Sequence, residues 1–388
     1  MRKFLEIVCY EHHALWRRPF PAALFFLTPL LFCIFFGMIY KENTVRHIPM
    51  VIYDQDQSNL SRSLIKVYHD SERFDIKYYA DTQEEMSKLL SDDKAQVGLG
   101  IPVNFSEQIK SGRSADIILL LNSSNNIFAN SALVSIQENN RTFSVGLAQK
   151  LVEGAGVLPN EALHMVYPVH IGVRLLNNPT TGYTSFMLPG IVLNGLQIAL
   201  LVTVTPLLSA LCRRNIYGPD YSSFLLMTAK ALPYWFLGLI SYAVSLAGLT
   251  YLWAVPIRAQ IWKLLLLGGF FIFAVIGVLY LFSAMSPDET LAVQLPLLYI
   301  MPGLLFSGLS WPLLSMRGFS KWFSSTMPIT YAGDCIRDLM LAGYCPDFAY
   351  NLKMLLTVGF TAGTIAWCIF TLRRYISDKI TQKMRYKQ

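Results

Sequence analysis

Long apolar runs interrupt the chain at six places. Each is about 20 residues or longer, which is the length an α-helix needs to cross some 30 Å of hydrocarbon, and charged side chains stand only at the ends. Within lipid every backbone N–H and C=O must be paired inside the segment, so runs of this kind are predicted to be helices. The predicted spans are residues 21–40, 183–211, 231–255, 264–284, 291–314 and 353–374.

Residues 41–178 break this apolar pattern. Short stretches rich in Val, Ile and Tyr alternate with amphipathic stretches, in the order βαβαβαβ. The first strand is predicted in IPMVIYD (48–54) and the last in ADIILLLN (115–122), with a longer helix over about 126–153. This segment is therefore predicted to form a small α/β domain between the first two spans.

The distribution of Lys and Arg predicts the orientation, because cytoplasmic loops hold the excess of basic residues. With the amino terminus inside, the interior segments hold thirteen Lys and Arg, whereas the short outer loops hold six. Both termini are then cytoplasmic, and residues 41–178 lie outside. The fold class is predicted to be a membrane all-α bundle of six transmembrane helices, with an inserted α/β extracytoplasmic domain between helices 1 and 2.

Composition adds two points to this picture. The chain is 53% hydrophobic and 15% charged, with a mean hydropathy of +0.40, which is outside the usual range of soluble proteins. Its net charge of +7 arises in the predicted cytoplasmic segments, where it suits a surface of anionic lipid, so a nucleic-acid partner is not expected. The first run is predicted to be a retained anchor, since no small-x-small cleavage site follows it.

The residue types exclude several chemistries. Asp, Glu, Lys and Arg are absent from the six spans except at the ends of the last one, at Lys353, Arg373 and Arg374, which argues against a carrier driven by protons or sodium. The chain has no G-x-x-x-x-G-K-[ST] motif for a nucleotide, and its histidines do not have the spacing of a metal site. Catalytic residues, metals and cofactors are therefore not expected here, and ATP with Mg would bind a separate cytoplasmic ATPase.

The stretch LSALCRRNIYGPDY (208–221) closes the second span with two adjacent arginines. One interpretation is that they anchor the helix by reaching the lipid headgroups. In the other, the Gly-Pro pair at 218–219 ends the helix, and Asp220 or Ser222 caps a short new one through YSSFLLMTAK. Segment 212–230 is the only predicted cytoplasmic loop long enough to dock a partner.

Three motifs, taken in their order along the chain, carry a family resemblance. They are IPVNFSEQIKSG (101–112), FMLPGIVLNG (186–195) and MPITYAGDCIRDLMLAG (327–343). With six helices split one plus five, the chain resembles the membrane permeases of ABC exporters of the ABC-2 type, in the branch with a large outer domain after the first helix. The resemblance covers nearly the whole chain.

The resemblance implies further segments and residues. The segments are a cytoplasmic interfacial connecting helix at 1–20, a coupling loop at 212–230, an outer re-entrant segment at 315–352 and a basic cytoplasmic tail at 375–388. The coupling residues are predicted to be Arg213, Arg214, Gly218, Asp220, Tyr221 and Phe224, although Cys212, Asn215 and Pro219 depart from the family pattern.

Two other sets of candidate residues lie nearer the centre and the outer end of the predicted bundle. A central path is predicted to be lined by Met187, Asn194, Gln197, Gln294, Tyr299 and Phe306. In the outer segment, Asp334, Arg337 and Asp338 lie at helical spacing, where mutual ion pairing is favoured over contact with substrate. Cys335 and Cys345 are near enough in sequence for a disulfide.

The predicted function is that of a transmembrane permease subunit of an ATP-binding cassette exporter. It would move a hydrophobic or amphiphilic substrate, such as a drug or lipid, outward across a bacterial inner membrane. Its partners would be an ABC ATPase dimer, membrane lipid and a second permease, identical or different, with a periplasmic adaptor and an outer-membrane channel left open. The alternatives are a membrane-anchored receptor or binding protein with an extracytoplasmic domain, and a secondary transporter.

Overall fold

The fold divides into two compact units. A helical unit is formed by Met1–Lys41 together with Leu175–Gln388, and an α/β unit by Glu42–Arg174. The computed structural model of the chain describes residues 2–17, 19–42, 45–168, 174–179, 181–214 and 221–385. Only the backbone is described for residues 19–21, 212–214, 378 and 380–385.

The elements follow one another along the chain in three groups. Two helices come first, α1 (Arg2–Trp16) and α2 (Pro19–Ile39). The α/β unit holds β1 (Ile48–Asp54), α3 (Asn59–His69), β2 (Phe74–Tyr79), α4 (Gln83–Ser91), β3 (Val97–Ile101), α5 (Phe105–Lys110), β4 (Ile118–Leu121), α6 (Asn126–Gly154) and α7 (Pro159–Val166). The helical unit resumes with α8 (Tyr183–Val204), α9 (Pro206–Arg214), α10 (Ser223–Trp253), α11 (Ile261–Met285), α12 (Glu289–Ile300), α13 (Gly303–Phe306), α14 (Phe319–Thr326), α15 (Pro328–Leu341) and α16 (Phe348–Arg385).

Six helical stretches in the described residues are long and apolar enough to cross a membrane. They are Ala22–Ile39, Tyr183–Leu211, Ser223–Trp253, Ile261–Met285, Glu289–Phe306 and Phe348–Ser377. Helices of this length pair all their interior backbone groups, which is the condition that hydrocarbon imposes on a spanning segment. The helical unit is thus a bundle with the form of a multi-pass membrane protein.

The fifth span, predicted over 291–314, is not one continuous helix. α12 ends at Ile300, α13 covers only Gly303–Phe306, and the chain is then largely irregular as far as Phe319. Pro302 stands at the break and has no N–H to continue the helix. Gly308 takes a φ of +91°, a conformation that residues with a side chain rarely adopt.

The third and sixth spans are longer than predicted. The Ser222 hydroxyl accepts the N–H of Leu225 at 3.2 Å, and α10 then continues unbroken to Trp253. The short separate helix predicted through YSSFLLMTAK is therefore the first part of α10. In the same way, α16 begins at Phe348 rather than 353 and continues as backbone helix to Arg385, beyond the predicted end at 374.

The hydroxyl of Ser283, on α11, bridges the break between α8 and α9. Pro206 begins α9 and cannot donate a backbone hydrogen bond. The carbonyl of Thr205 accepts a hydrogen bond from Ser283 of α11, and the same hydroxyl accepts the N–H of Ser209 at 3.2 Å. Buried backbone groups freed by the break are paired in this way across to a neighbouring helix.

Glycines let the bundle helices approach closely, as is common where lipid supplies no hydrophobic driving force. A Cβ at Gly268 of α11 would lie 2.3 Å from the ring of Tyr242 on α10. A Cβ at Gly277 would lie 2.5 Å from the carbonyl oxygen of Gly359 on α16. At that second contact the backbones of two helices meet with no side chain between them.

The α/β unit is built on a four-stranded sheet in the order β2-β1-β3-β4. β1 pairs in parallel with both β2 and β3, whereas β4 runs antiparallel to β3. Helices α3, α4 and α5 connect successive strands, and α6 follows the last one. Ile48, Met50 and Ile52 of β1 are fully buried in its core, at every second position of the strand.

The contact between Gly277 and Gly359 predicts that valine is destabilising at Gly277 but tolerated at Gly363. Gly277→Val should destabilise the helical unit by about 1–3 kcal/mol or more, because the added side chain overpacks two backbones. The measurement is the thermal unfolding temperature of the purified chain in detergent. Gly363→Val is the matched control, since a Cβ there meets no atom within 4 Å. Equal effects of the two substitutions would contradict the packing described.

Candidate functional site

The first helix packs against the beginning of α10. Ile7 of α1 is buried against Leu226 and Ala229, which lie in the first two turns of α10. Tyr221, just before α10, joins this cluster and has the ammonium of Lys3 5.0 Å from its ring centre. The segment predicted to couple the protein to an ATPase is thus attached to the amino-terminal helix.

A buried ion pair joins the same two helices. Lys230 of α10 donates to one carboxylate oxygen of Glu11, and the hydroxyl of Tyr234 donates to the other at 3.2 Å. The side chains of Lys230 and Glu11 are only 9% and 7% exposed. Charges so little exposed are stable only when paired and hydrogen-bonded, so this pair fixes α1 against α10.

The sequence contained a signal for this pair that the predictions missed. Ile7, Glu11 and Leu15 are four residues apart, which places the carboxylate on the buried apolar face of α1. Lys230 lies one residue before the predicted third span, and counting it as a cytoplasmic charge left that span free of charged residues. The structure corrects that: the candidate span Ser223–Trp253 contains Lys230.

Arg373 and Arg374 of α16 contact the same end of the bundle, where α10 begins and α11 ends. Arg374 donates to the carbonyl of Tyr221 at 2.8 Å and contacts the Ser223 hydroxyl at 3.4 Å. Arg373 donates to the carbonyls of Ala284 and Ser286, at 2.7 and 2.6 Å, where α11 ends. The Arg373 guanidinium pairs carbonyls at the end of α11, and the Arg374 guanidinium pairs one just before α10, which is a more specific role than reaching lipid headgroups.

The predicted coupling residues are only partly described. Gly218 and Asp220 lie outside the described residues, and so do the side chains of Arg213 and Arg214, whose backbone ends α9. Phe224, in the first turn of α10, is 61% exposed and meets the ring of Trp367 edge-on at 6.3 Å between centroids. Its exposed face is therefore available for contact.

The predicted path residues of α8 do not lie on an open surface. Asn194 and Gln197 are 5% and 3% exposed within the single chain, and their side-chain oxygens are buried with no hydrogen-bond partner. A path between two protomers would need residues exposed on each, so these two do not meet that requirement in this conformation. Met187, nearer the start of α8, is partly exposed.

The path residues of the fifth span are also dispersed. Gln294 is exposed, but the Tyr299 hydroxyl donates to the carbonyl of Thr326 at 2.6 Å. The rings of Tyr299 and Phe306 both meet Phe323 of α14 edge-on, at 5.7 and 5.2 Å. The two aromatic residues therefore brace the irregular chain between α13 and α14, and the six predicted residues do not form one lining.

Two of the three charged residues of α15, Asp334 and Arg337, form an ion pair as their spacing predicts. Arg337 donates to Asp334 at 2.6 Å, and its guanidinium lies 4.4 Å from the ring centre of Phe186 on α8. Burial raises the pKa of Asp334, against the lowering effect of Arg337, and burial likewise raises the pKa of Asp338. The arrangement ties α15 to α8.

Cys335 and Cys345 are brought together as reduced thiols. Both are free, so the predicted disulfide is not formed in the structure, although the two sulfurs are hydrogen-bonded. The bond from Cys335 lowers the pKa of Cys345, whereas this bond and burial raise the pKa of Cys335. The Asn351 side chain also donates to Cys345, at 3.8 Å. Among the described residues, no group of three His, Cys, Asp or Glu is placed to hold a metal.

Comparison with known proteins identifies the family. A family model described as "ABC-2 family transporter protein" matches residues 23–368, which is nearly the whole chain. The chain belongs to the ABC-2 transporter family. As a member of this family it is a permease subunit of an ABC exporter, with ATP hydrolysis on a partner subunit.

Individual ABC-2 proteins show where the likeness is spread. "Probable multidrug ABC transporter permease YbhR" of Escherichia coli K12 is 22% identical over 366 residues, 93% of this chain and 96% of that protein. "Probable multidrug ABC transporter permease YbhS" of the same organism is 20% identical over 278 residues, 69% of this chain and 70% of its own length. "ABC transporter G family member 20" of Dictyostelium discoideum is 30% identical over 201 residues. That match spans 50% of this chain but only 26% of the Dictyostelium protein.

The ABC-2 family implies a partner ATPase and a second permease subunit. The structure adds the position of α1 beside the start of α10, held by the Glu11–Lys230 pair. No nucleotide-binding motif occurs in the sequence. As a permease subunit of the ABC-2 family, the chain has a role in transport, and the partner subunit hydrolyses ATP.

Removing one partner of the buried pair should be far more harmful than removing both. Glu11→Leu or Lys230→Met should each destabilise the fold by about 3–5 kcal/mol, because a buried charge is left unpaired. The double change Glu11→Leu with Lys230→Met should recover most of the loss. Thermal unfolding of the four proteins completes a double-mutant cycle.

The matched control for this cycle lies on the same helix. Glu6 pairs with Arg2 at 3.1 Å, but the Glu6 and Arg2 side chains are 58% and 94% exposed. Glu6→Gln should leave the unfolding temperature almost unchanged, since exposed ion pairs contribute little. A double variant as unstable as the sum of its single changes would show that Glu11 and Lys230 act independently.

The two thiols predict a pH dependence of alkylation. In a variant without the other four cysteines and under reducing conditions, Cys345 should react at lower pH than an ordinary thiol, because only the thiolate is nucleophilic. Cys335→Ala removes the hydrogen-bond donor and should shift the rate profile of Cys345 to higher pH. Cys335→Ser retains a donor and should shift it less. Identical profiles in all three proteins would contradict the assigned hydrogen bond.

Proposed function

We propose that this permease exports a hydrophobic or amphiphilic molecule, such as a drug or a lipid, with a cytoplasmic ATPase dimer docked at α1 and the start of α10. The full-length Escherichia coli relatives carry multidrug permease in their names, which supports this substrate class. The docking position is supported by the structure, in which both α1 and α16 hold the start of α10.

The observation that carries the docking proposal is a convergence of contacts on residues 221–230. α1 holds them through Glu11 and Lys230, and α16 holds them through Arg374. A partner that pushes on a loosely held segment would move that segment alone. Here force applied near Phe224 passes directly to α1 and α16, so three helices move as one body.

The orientation proposed places this end of the bundle in the cytoplasm of a bacterial cell, in the inner membrane. The support is the excess of Lys and Arg in the segments at this end, including both termini. The α/β unit, Glu42–Arg174, then lies on the extracytoplasmic side. Cys335 and Cys345 lie on that side as well, where oxidation to a disulfide becomes available to them.

An exposed apolar surface on the fifth span supports the substrate class. Leu298, Met301 and Leu305 are 77%, 68% and 63% exposed in the single chain. Methionine and leucine side chains adapt to apolar ligands of different shape. In a dimer of permeases, identical or different, this surface is the proposed lining, in place of Asn194 and Gln197. A periplasmic adaptor and an outer-membrane channel would complete the route in a cell with two membranes.

The docking proposal is tested by comparing transport with ATP hydrolysis in the complex purified with its ATPase. Tyr221→Ala and Phe224→Ala should each lower transport per ATP, because truncating an aromatic contact at a docking centre weakens it by about fivefold or more. Replacing Arg213 and Arg214 by Lys should have a smaller effect if they only anchor, since Lys also reaches the headgroups.

Tyr251→Ala provides the matched control. Tyr251 is 87% exposed at the opposite end of α10, so its loss removes an exposed aromatic ring without touching the docking end. Transport per ATP should stay at the wild-type level in this variant. Full transport in the Tyr221, Phe224 and arginine variants, with the ATPase still bound, would exclude the start of α10 as the coupling element.

A further inference from the structure

An apolar groove of about 500 Å³ opens between α10, α11 and α16, away from the proposed path. α10 contributes Phe224 and Trp235, α11 contributes Phe273 and Gly277, and α16 contributes Gly363 and Trp367. The rings of Phe273 and Phe360 meet at 5.1 Å at the other end of the groove from Phe224. Phe224 and Trp367 meet at its mouth, beside the basic end of α16.

The groove offers an apolar surface to whatever occupies it. Hydroxyls of Thr228 and Thr364 donate to carbonyls of their own helices, at 2.9 and 2.7 Å. The indole N–H of Trp235 donates to the carbonyl of Gly269 at 2.8 Å, and the hydroxyl of Tyr280 to that of Met227 at 3.3 Å. With these donors engaged, the matching occupant is a hydrocarbon chain.

The length of the groove matches one leaflet of a bilayer. From Phe224 to Trp235, α10 rises about 16 Å at 1.5 Å per residue, close to half of a hydrocarbon core about 30 Å thick. Trp367, 40% exposed at the mouth, is an aromatic residue of the type that lies at headgroup level. A lipid chain of this leaflet would therefore extend along the groove from its mouth.

Gly363 keeps the groove open. A glycine costs a helix about 1 kcal/mol relative to alanine, and close helix packing is the usual reason for one in a membrane helix. Close packing explains Gly277 and Gly359, because the backbones of α11 and α16 touch there. Close packing does not explain Gly363, since a Cβ there would meet no atom within 4 Å and would project into the free space of the groove.

The charge at the mouth selects the headgroup. Residues 373–388 hold six Lys or Arg and one Asp, directly after the apolar part of α16. A cluster of this size next to a membrane helix attracts anionic lipid. We propose that the groove binds one acyl chain of an anionic phospholipid, whose phosphate lies near Arg374, the basic side chain that contacts the Ser223 hydroxyl next to Phe224 at the mouth. This site is separate from the exported substrate and does not depend on the proposed docking of an ATPase.

The test uses the full chain purified in detergent and two lipids with the same acyl chains, phosphatidylglycerol and phosphatidylcholine. Native mass spectrometry should show retained phosphatidylglycerol, and its addition should raise the unfolding temperature more than phosphatidylcholine does. Gly363→Leu fills the groove and should weaken binding by about tenfold or more, which the loss of two buried methylenes suffices to produce. Gly363→Ala should bind almost as the wild type does.

Two further variants keep the result decisive. Ala231→Leu fills the groove from the opposite helix and answers the same question if Gly363→Leu does not fold. Arg374→Gln removes the charge but keeps a donor for the carbonyl of Tyr221, and it should abolish the preference for phosphatidylglycerol while chain binding persists. Unchanged binding in both filled variants would overturn the site. Loss of permease dimers in them without loss of lipid would show that a second chain covers the groove, and equal binding of the two lipids would overturn the assigned headgroup.

Discussion

A lysine charge inside an apolar helix is stable only while a carboxylate faces it. Lys230 has that partner in Glu11, and the pair requires α1 to lie along α10 rather than free on the membrane surface. The remaining contacts at this end follow from that position. Ile7 can bury itself against Leu226 and Ala229, and Lys3 reaches Tyr221, because Glu11 has already fixed the rotation of α1.

The same end of the bundle is secured by hydrogen bonds to main-chain carbonyls. Arg373 and Arg374 are adjacent, yet each pairs the carbonyls of a different segment, one at the end of α11 and one before α10. Guanidinium groups suit this task because their several donors are fixed in one plane. For an ABC-2 permease, whose energy comes from outside its own chain, rigidity at the end proposed to dock the ATPase is the property that would transmit movement.

Sequence patterns predicted the spans well where apolar length alone decides, and poorly where side chains from distant segments decide. The helix at α11 is continuous and apolar, and its predicted span 264–284 lies within Ile261–Met285. The break after Ile300 depends on Pro302, which a window of hydropathy does not weigh. Glu11 and Lys230 are 219 positions apart, so neither helix alone reveals the other. Asn194 and Gln197 were assigned to a path by residue type, although burial depends on packing.

Candidate sites were predicted with similar unevenness. The spacing of Asp334 and Arg337 gave their pairing directly, because three positions on a helix bring side chains together. The proximity of Cys335 and Cys345 was also inferred from spacing, but their reduced state and hydrogen bond were not. The role of Arg374 required the position of Tyr221, which lies 153 residues earlier. Local spacing thus predicts pairs within one element, and tertiary structure is needed for the rest.

The hydroxyl of Ser283 has a consequence for how the second span can vary. It serves a carbonyl and an N–H at once, those of Thr205 and Ser209, at the point where Pro206 interrupts the helix. An alanine at 283 would remove this bridge, and the Thr205 carbonyl and the Ser209 N–H, which are four positions apart, would then have to pair with each other directly. The local shape of the second span is thus set partly by a side chain of α11, so a change at position 283 would alter that span without any change in its own sequence.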